Sequence, residues 1–221
     1  MKDLSNKVAI ITGSSSGVGA ATARLFASLG CHVVVNYNAN SAGAEQVAKE
    51  CEELGVETVC FGGSVANDTD CVAMVKAAMD KWGRVDILVN NAGTTKFVDH
   101  NNLDGLDAED FQRIYGVNVI GCYQMTRAAR AAMEANDEGG AVVNIASTAA
   151  VTGIGSSIAY AASKGAMVTM TMSLARVLGP KIRMNAVCPG FIEGDWLREG
   201  LGDTQYEAVR DANRRDAPLG V

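Results

Sequence analysis

Short runs of apolar, often β-branched residues alternate along the chain with longer segments whose apolar residues recur at helical spacing. The apolar runs are continuous, which is typical of parallel strands that helices cover on both faces. We predict strands at 7–12, 31–37, 56–61, 85–90, 141–147 and 182–187, and helices at 17–29, 41–54, 68–82, 107–135 and 156–178. The fold class is therefore α/β, with a single doubly wound parallel sheet and helices on both of its faces.

The last segment, residues 193–217, departs from this rhythm because it is charged, contains several glycines and has only a thin apolar stripe. Two interpretations stand: a mobile lid over a substrate site, or a solvated terminal helix. Elsewhere no repeat, low-complexity tract or linker interrupts the pattern. We therefore predict one dinucleotide-binding and catalytic domain over residues 1–221, with 193–217 as its candidate lid.

The composition argues against several classes of function. The 221-residue chain has a net charge of −6 and its Lys and Arg residues are scattered, which disfavours nucleic-acid binding. Six cysteines form no CxxC pair and only two histidines are present, so we expect no metal site and reduced thiols. No window approaches the about 18 apolar residues of a membrane span. We expect a cytoplasmic protein that does not bind membranes.

A glycine- and serine-rich turn, "TGSSSGVG" at residues 12–19, joins the first strand to the first helix. Glycines at 13, 17 and 19 let the backbone approach a pyrophosphate, and the helix N-terminus offers free N–H donors to it. No Lys follows to make the turn a nucleoside-triphosphate loop. The position of the turn favours dinucleotide binding on a Rossmann-type sheet over an ordinary tight turn.

The end of the second strand bears on the choice of dinucleotide. An acidic residue there would bind the ribose of NAD, but the stretch reads "VVVNYNAN" and no acid follows until Glu45. The lack of a carboxylate also removes repulsion against a 2′-phosphate. NADP(H) is therefore favoured over NAD(H), although no Arg or Lys stands beside Asn38 to pair with that phosphate.

Tyr160 and Lys164 lie one helical turn apart in "SSIAYAASKGAM", at a spacing that puts them on the same face. Taken alone, such a pair is usually a surface contact. A phenol with a pKa of about 10 is a poor acid–base catalyst near neutrality, and a nearby ammonium group would lower its pKa. We therefore predict that Lys164 brings the Tyr160 pKa toward neutrality.

Three further features converge on the same sheet edge. Ser147 ends the fifth strand, where its hydroxyl could hold a substrate oxygen, and "NNAG" at 90–93 ends the fourth. Asn118 lies within an apolar helical segment, so its amide is either satisfied in the core or positions a water molecule. By loop position, the candidate pocket residues are Thr94, Phe97, Thr148, Ile154, Phe191 and Trp196.

These motifs together resemble the classical short-chain dehydrogenase/reductase family over nearly the whole chain. The glycine turn matches its TGxxxGxG, residues 90–93 its NNAG, "YAASK" its YxxxK, and "CPG" at 188–190 its PG motif. The resemblance implies a catalytic set of Asn118, Ser147, Tyr160 and Lys164. The expected cofactor contacts are Gly13, Ser15, Ser16, Gly17, Val18, Gly19, Asn36, Tyr37, Asn38, Ser64, Val65, Asn91, Ala92, Gly93, Tyr160, Lys164, Pro189, Gly190 and Ile192.

The roles that the resemblance implies are those of an NAD(P)-dependent oxidoreductase acting on a ketone or secondary alcohol, similar to 3-oxoacyl-carrier-protein reductases and glucose dehydrogenases. Tyr160 exchanges a proton with the substrate oxygen that Ser147 holds, and Lys164 also bonds the nicotinamide ribose. Asn118 keeps a relay water. The alternative is a dinucleotide-binding protein without catalysis, or a truncated partner in an oligomer.

The chain departs from the family pattern in two places. Ser64 stands where members carry an Asp that bonds the adenine amino group. Members also continue beyond the motif that resembles "APLG" at 217–220 with a helix and a seventh strand, so we expect the sheet to lack its last strand. The apolar helices around Asn118 and Tyr160 fit the interfaces of the family, which predicts a homodimer or homotetramer.

Overall fold

Six parallel strands form one sheet in the computed structural model, which describes residues 3–216. The strand order is β3-β2-β1-β4-β5-β6, and every neighbouring pair runs parallel. The order reverses between β1 and β4, which creates a crevice at the carboxyl edge of the sheet. The predicted doubly wound α/β fold is confirmed. The strands are β1 (Val8–Ile11), β2 (His32–Tyr37), β3 (Thr58–Gly62), β4 (Ile87–Asn90), β5 (Gly140–Ile145) and β6 (Ile182–Val187).

The helices follow the strands in the predicted alternation, and the structure adds short elements that the sequence pattern did not predict. The additions are a 3₁₀ turn (Leu103–Gly105), a π turn (Gly116–Gly121) and α6. After β6 a loop leads to two helices that extend to residue 216, while the "APLG" motif at 217–220 lies outside the described residues. The helices are α1 (Gly17–Ser28), α2 (Ser41–Glu52), α3 (Asp68–Trp82), α4 (Ala108–Tyr115), α5 (Cys122–Ala135), α6 (Ala149–Thr152), α7 (Ile158–Leu178), α8 (Asp195–Leu201) and α9 (Asp203–Asp216).

The continuous apolar runs are explained by the two cores that the sheet separates. In β1, Val8 and Ile10 pack into the core beneath α3, α5 and α7, whereas Ala9 and Ile11 pack into the core beneath α1 and α2. Strand β6 differs, because its side chains alternate between buried Ile182 and exposed Arg183 along the strand. Burial on both faces therefore holds for the central strands and not for this one.

Two further observations concern the described part of the chain. Within residues 3–216, no helix has both the length and the apolar character that crossing a bilayer requires. Over the same residues, no group of three or more His, Cys, Asp or Glu side chains comes together as a metal site would require.

A π turn interrupts the long helix predicted over 107–135. It separates α4 from α5 and contains Asn118, which is fully buried. Gly121, at the end of the turn, packs directly against the loop after β3: a Cβ atom there would lie 2.6 Å from Val65 Cγ2 and 2.9 Å from its carbonyl oxygen. The close contact requires glycine and holds the π turn against the loop after β3.

We expect the change Gly121→Ala to lower the free energy of unfolding by about 1 to 3 kcal/mol, because the added methyl group overlaps Val65. Urea denaturation measures the effect. The matched control is Gly165→Ala in α7, where the Cβ atom would lie 3.6 Å from the nearest atom, the carbonyl oxygen of Ala150. That change should be neutral or stabilise by up to about 1 kcal/mol. Equal effects of the two substitutions would contradict the packing argument.

Candidate active site

The glycine turn between β1 and α1 presents unpaired backbone donors to the crevice. Gly13 and Gly17 have φ angles of 61° and 55°, in the left-handed region that favours glycine. The helix begins at Gly17 without a side-chain cap from Ser16, so the first N–H groups have no partner within the helix. A Cβ atom at Gly17 would meet nothing within 4 Å. The turn is therefore open toward an anionic group.

Two buried or half-buried asparagines support this turn from opposite sides. Asn36 accepts from the Gly13 N–H at 3.0 Å, and its amide nitrogen donates to the carbonyl of Gly63 at 3.0 Å. Asn91 donates to the carbonyls of Thr12 and Gly13, both at 2.9 Å. Asn91, from the NNAG motif, thus connects the end of β4 to the turn.

Asn36 differs from its predicted role as a cofactor contact. The side chain is 2% exposed and its hydrogen bonds go to the protein backbone, so it has no polar surface left for a ribose. Its neighbours Tyr37 and Asn38 are half-buried and exposed, respectively. These two residues are the part of the strand end that a bound dinucleotide could contact.

A carboxylate that the sequence motifs did not reveal contacts the loop after β3. Ser64 donates its backbone N–H to Asp70 Oδ2 at 2.9 Å, and its hydroxyl accepts from the N–H of Ala66 at 3.3 Å. Asp70 comes from the first turn of α3, so a carboxylate lies beside the position where the family pattern has its Asp. Val65 is buried, and its carbonyl accepts from Gln124 Nε2 at 2.8 Å.

Lys164 lies at the centre of the predicted catalytic group. Its side chain is buried, and Nζ donates to the carbonyl of Ile145, the last residue of β5, at 2.7 Å. The same Nζ atom lies 5.6 Å from the centroid of the Tyr160 ring. A Cβ atom at Gly93 would lie 3.6 Å from Asn118 Oδ1 and 3.7 Å from Lys164 Nζ, so the residues converge as the motifs predict.

The Asn118 side chain joins the loop after β4 to the helix that carries Tyr160. Its Oδ1 accepts from the Thr94 N–H at 2.8 Å, while Nδ2 donates to the Thr94 carbonyl at 3.0 Å and to Ser163 Oγ at 2.9 Å. Ser163 in turn donates to the Tyr160 carbonyl at 2.7 Å. The motif search missed Ser163, although a small polar residue directly before Lys164 was the available signal.

Burial sets the protonation of the two central groups. Burial raises the pKa of the Tyr160 phenol above its ordinary value, and a hydrogen bond with Ser147 acts in the opposite direction. Burial also lowers the pKa of Lys164 from 10.5 to about 8, against the smaller opposing influence of the Cys122 and Cys188 thiols. The prediction that Lys164 brings the Tyr160 pKa toward neutrality is therefore wrong for this structure, because desolvation of the phenol dominates.

The loop after β6 lies at the same edge of the sheet. The Pro189 carbonyl accepts from the Thr148 N–H at 2.9 Å, which joins this loop to the one after β5. A Cβ atom at Gly190 would meet nothing within 4 Å, and Ile192 is exposed. This part of the predicted cofactor surface is therefore open and apolar.

Three of the six candidate pocket residues make contacts between aromatic rings. Trp196 packs against the rings of Tyr160 and Phe97, with centroids 6.0 and 5.6 Å apart. Phe191 instead packs on Tyr206 of α9, at 5.7 Å. Trp196 thus lies between Tyr160 and Phe97, while Phe191 anchors α9 to the loop after β6.

The arrangement is that of a nicotinamide-dependent oxidoreductase, and comparison with known proteins gives the family. A sequence profile described as short chain dehydrogenase matches residues 7–203. The 3-oxoacyl-(acyl-carrier-protein) reductase of Synechocystis sp. is 35% identical over 196 residues, covering 88% of this chain and 78% of that protein. The L-rhamnose 1-dehydrogenase (NAD(P)(+)) of Azotobacter vinelandii is 34% identical over 221 residues, covering 98% and 84%.

A solved structure supports the same assignment. The crystal structure of NAD⁺-bound xylitol dehydrogenase has a TM-score of 0.89 and 27% sequence identity, covering 100% of this chain and 88% of that one. The chain belongs to the short-chain dehydrogenase/reductase family. Its cofactor class is accordingly a nicotinamide dinucleotide, NAD(H) or NADP(H), and its substrates are small molecules.

The depressed pKa of Lys164 predicts a specific dependence of stability on pH. Between about pH 8 and pH 10 the unfolded chain, with an ordinary lysine pKa of about 10.4, binds more protons at this site than the folded chain. The stability of the wild type relative to Lys164→Met should therefore rise with pH, by about 2 to 3 kcal/mol across this range. Urea denaturation of both proteins measures the difference, and a difference independent of pH would contradict the burial argument.

Proposed function

We propose that this protein is an NADP(H)-preferring oxidoreductase that reduces a ketone to a secondary alcohol, with Tyr160 as the proton donor. The observation that carries the proposal is the convergence of the Tyr160 ring and the Lys164 ammonium group, 5.6 Å apart, with Ser147 hydrogen-bonded to the phenol. All three lie at the carboxyl edge of the sheet. The open glycine turn that follows β1 lies at the same edge. A 3-oxoacyl-type ketone is one candidate substrate, in keeping with the Synechocystis relative.

The residues present fit a bound dinucleotide. The unpaired N–H groups at the start of α1 would hold its pyrophosphate, and the space beside Gly17 would admit it. Tyr37 and Asn38 would contact the adenosine ribose. The open surface at Gly190 and Ile192 would cover the nicotinamide. In that site the cofactor supplies a hydride for reduction, or accepts one for oxidation.

The chain's own residues manage the proton and the substrate oxygen. Ser147 holds the oxygen by a hydrogen bond, and Tyr160 gives its phenolic proton to it as the alcohol forms. Burial raises the pKa of Tyr160, so the phenol carries its proton at neutral pH and can donate it. Lys164, protonated below about pH 8, holds its charge beside the tyrosine through the Ile145 carbonyl.

Asn118 acts in this proposal mainly as a positioning residue. Both protons of its amide are donated within the protein, to Thr94 and to Ser163. The family resemblance implies a relay water. Such a water would therefore donate to a carbonyl oxygen of Asn118, of its backbone or its side chain, and would not accept from the amide nitrogen. The residue fixes the distance between the NNAG loop and the helix of Tyr160.

Self-association is part of the proposal. Exposed apolar side chains lie on α4, the π turn and α7, which contact one another. Burial of these side chains in a homodimer or homotetramer would remove them from water. The residues are Phe111, Ile120, Met172 and Val177.

The proposed role of Tyr160 predicts that Tyr160→Phe lowers kcat for ketone reduction by about 10²- to 10⁴-fold, because the proton donor is lost. Affinity for NADPH, measured by fluorescence titration, should change by less than about threefold. Tyr123→Phe, an exposed tyrosine of α5, is the matched control and should leave kcat unchanged. Cofactor binding without Tyr160-dependent turnover of any ketone would favour the non-catalytic alternative.

The proposed preference for NADP(H) predicts the effect of a carboxylate at the end of β2. Asn38→Asp should weaken NADPH binding about tenfold or more, by repulsion of the 2′-phosphate, and leave NADH binding equal or tighter. Asn38→Ala, which removes the amide without adding charge, is the control. Dissociation constants for both cofactors measure the effect. An unchanged ratio of the two in Asn38→Asp would contradict the assignment of this strand end to the ribose site.

A further inference from the structure

The substrate side of Tyr160 is bounded by two other aromatic rings, Trp196 of α8 and Phe97 of the loop after β4. Trp196 lies 6.0 Å from Tyr160 and 5.6 Å from Phe97, in tilted arrangements typical of favourable aromatic pairs. We name these three side chains the aromatic wall. The wall includes the ring of Tyr160, the proposed proton donor. A substituent on the reacting carbonyl carbon of a bound ketone would therefore lie close to the wall.

A glycine fixes the position of α8 against the wall. A Cβ atom at Gly200 would lie 2.0 Å from Phe97 Cε2 and 2.2 Å from Cζ, so the Phe97 ring rests directly on the helix backbone. Trp196 precedes Gly200 by one helical turn and lies on the same face of α8. The helix is therefore held close to Phe97, which holds the indole ring near Tyr160.

Three polar side chains of the neighbouring loops have partners within the protein. Thr95 Oγ1 lies 2.7 Å from Ser156 Oγ, and His100 Nε2 lies 3.1 Å from the Gly155 carbonyl oxygen. These contacts brace the loop of Phe97 against the loop that precedes α7. Recognition of the substrate beyond its oxygen thus falls mainly on the aromatic faces.

We propose that Trp196 is a specificity-determining residue and that the preferred substrate carries a flat, uncharged ring on its carbonyl carbon, as in an aryl ketone. The inference rests on the proposed function, since it assumes that Tyr160 protonates the substrate oxygen. Trp196 is 48% exposed, so a large part of the indole remains open to contact by a ligand. A planar ring can stack on this surface, whereas a saturated ring of the same size makes a poorer contact.

The first test compares two ketones of nearly equal size, acetophenone and cyclohexyl methyl ketone. With the unaltered protein and NADPH, kcat/KM should favour acetophenone by about threefold to tenfold. Trp196→Ala should raise the KM for acetophenone about tenfold or more, change kcat less, and abolish the preference. Trp196→Phe, which keeps an aromatic ring, should restore most of it. Retention of the full preference in Trp196→Ala would overturn the proposal.

A second test alters the aromatic wall without removing a ring from it. Gly200→Ala places a methyl group against Phe97 and should raise the KM for acetophenone, with a smaller effect on acetone. Glu199→Ala, an exposed neighbour in the same helix, should leave both values unchanged. If the two variants had equal KM values for acetophenone, the claim that the contact between α8 and Phe97 determines specificity would be contradicted.

Binding can be followed without turnover, because the chain has only two tryptophans. Trp82 stacks on His32, and Trp82→Phe leaves Trp196 as the single indole reporter. Acetophenone added to the NADP⁺ complex of this variant forms no product and should change the Trp196 emission in a saturable way, while acetone should not. Unchanged emission at concentrations that saturate turnover would overturn the proposal.

The outcomes separate the two proposals. Failure of the unaltered protein to reduce any ketone would contradict the proposed function and, with it, the aryl ketone inference. Turnover that depends on Tyr160 and is indifferent to Trp196 would contradict the aromatic wall alone.

Discussion

The burial of the Lys164 ammonium group is the constraint on which the site depends. A charge removed from water is stable only with a compensating partner, and the partner here is the carbonyl at the end of β5, 2.7 Å from Nζ. This hydrogen bond ties α7 to the sheet at its carboxyl edge and sets where Tyr160 stands. Even so, burial lowers the Lys164 pKa to about 8, so the ammonium remains charged at neutral pH with little margin.

Asparagine side chains connect the loops of the site to one another and to α7, the helix that carries Lys164. Asn36 and Asn91 hold the glycine turn from two sides, and Asn118 joins the NNAG loop to Ser163 on α7. An amide can donate and accept at once, so one side chain can link two backbone segments that share no regular structure. Four loops are thereby fixed relative to one another, as a reaction between a substrate and a bound cofactor requires.

The sequence predicted the fold well because the two buried faces of a parallel sheet leave a direct signal in the chain. The strands and main helices follow from apolar runs and turn residues, and the proposed catalytic group follows from ordered motifs. The π turn at Asn118, the helix α6 and the contact of Asp70 with Ser64 were not predictable, because they depend on packing between distant segments. The direction of the Tyr160 pKa was mispredicted for the same reason: the spacing to Lys164 is local, whereas the burial of the phenol is tertiary.

The most direct measurement is the titration of Tyr160 by NMR, with tyrosine labelled at the carbon bonded to the phenolic oxygen. Loss of one resonance in Tyr160→Phe would assign the signal. The account predicts that the phenol stays protonated through neutral pH and titrates above the ordinary tyrosine pKa of 10.0. A resonance that reports phenolate near pH 7 would contradict the claim that burial keeps Tyr160 in its proton-donating form.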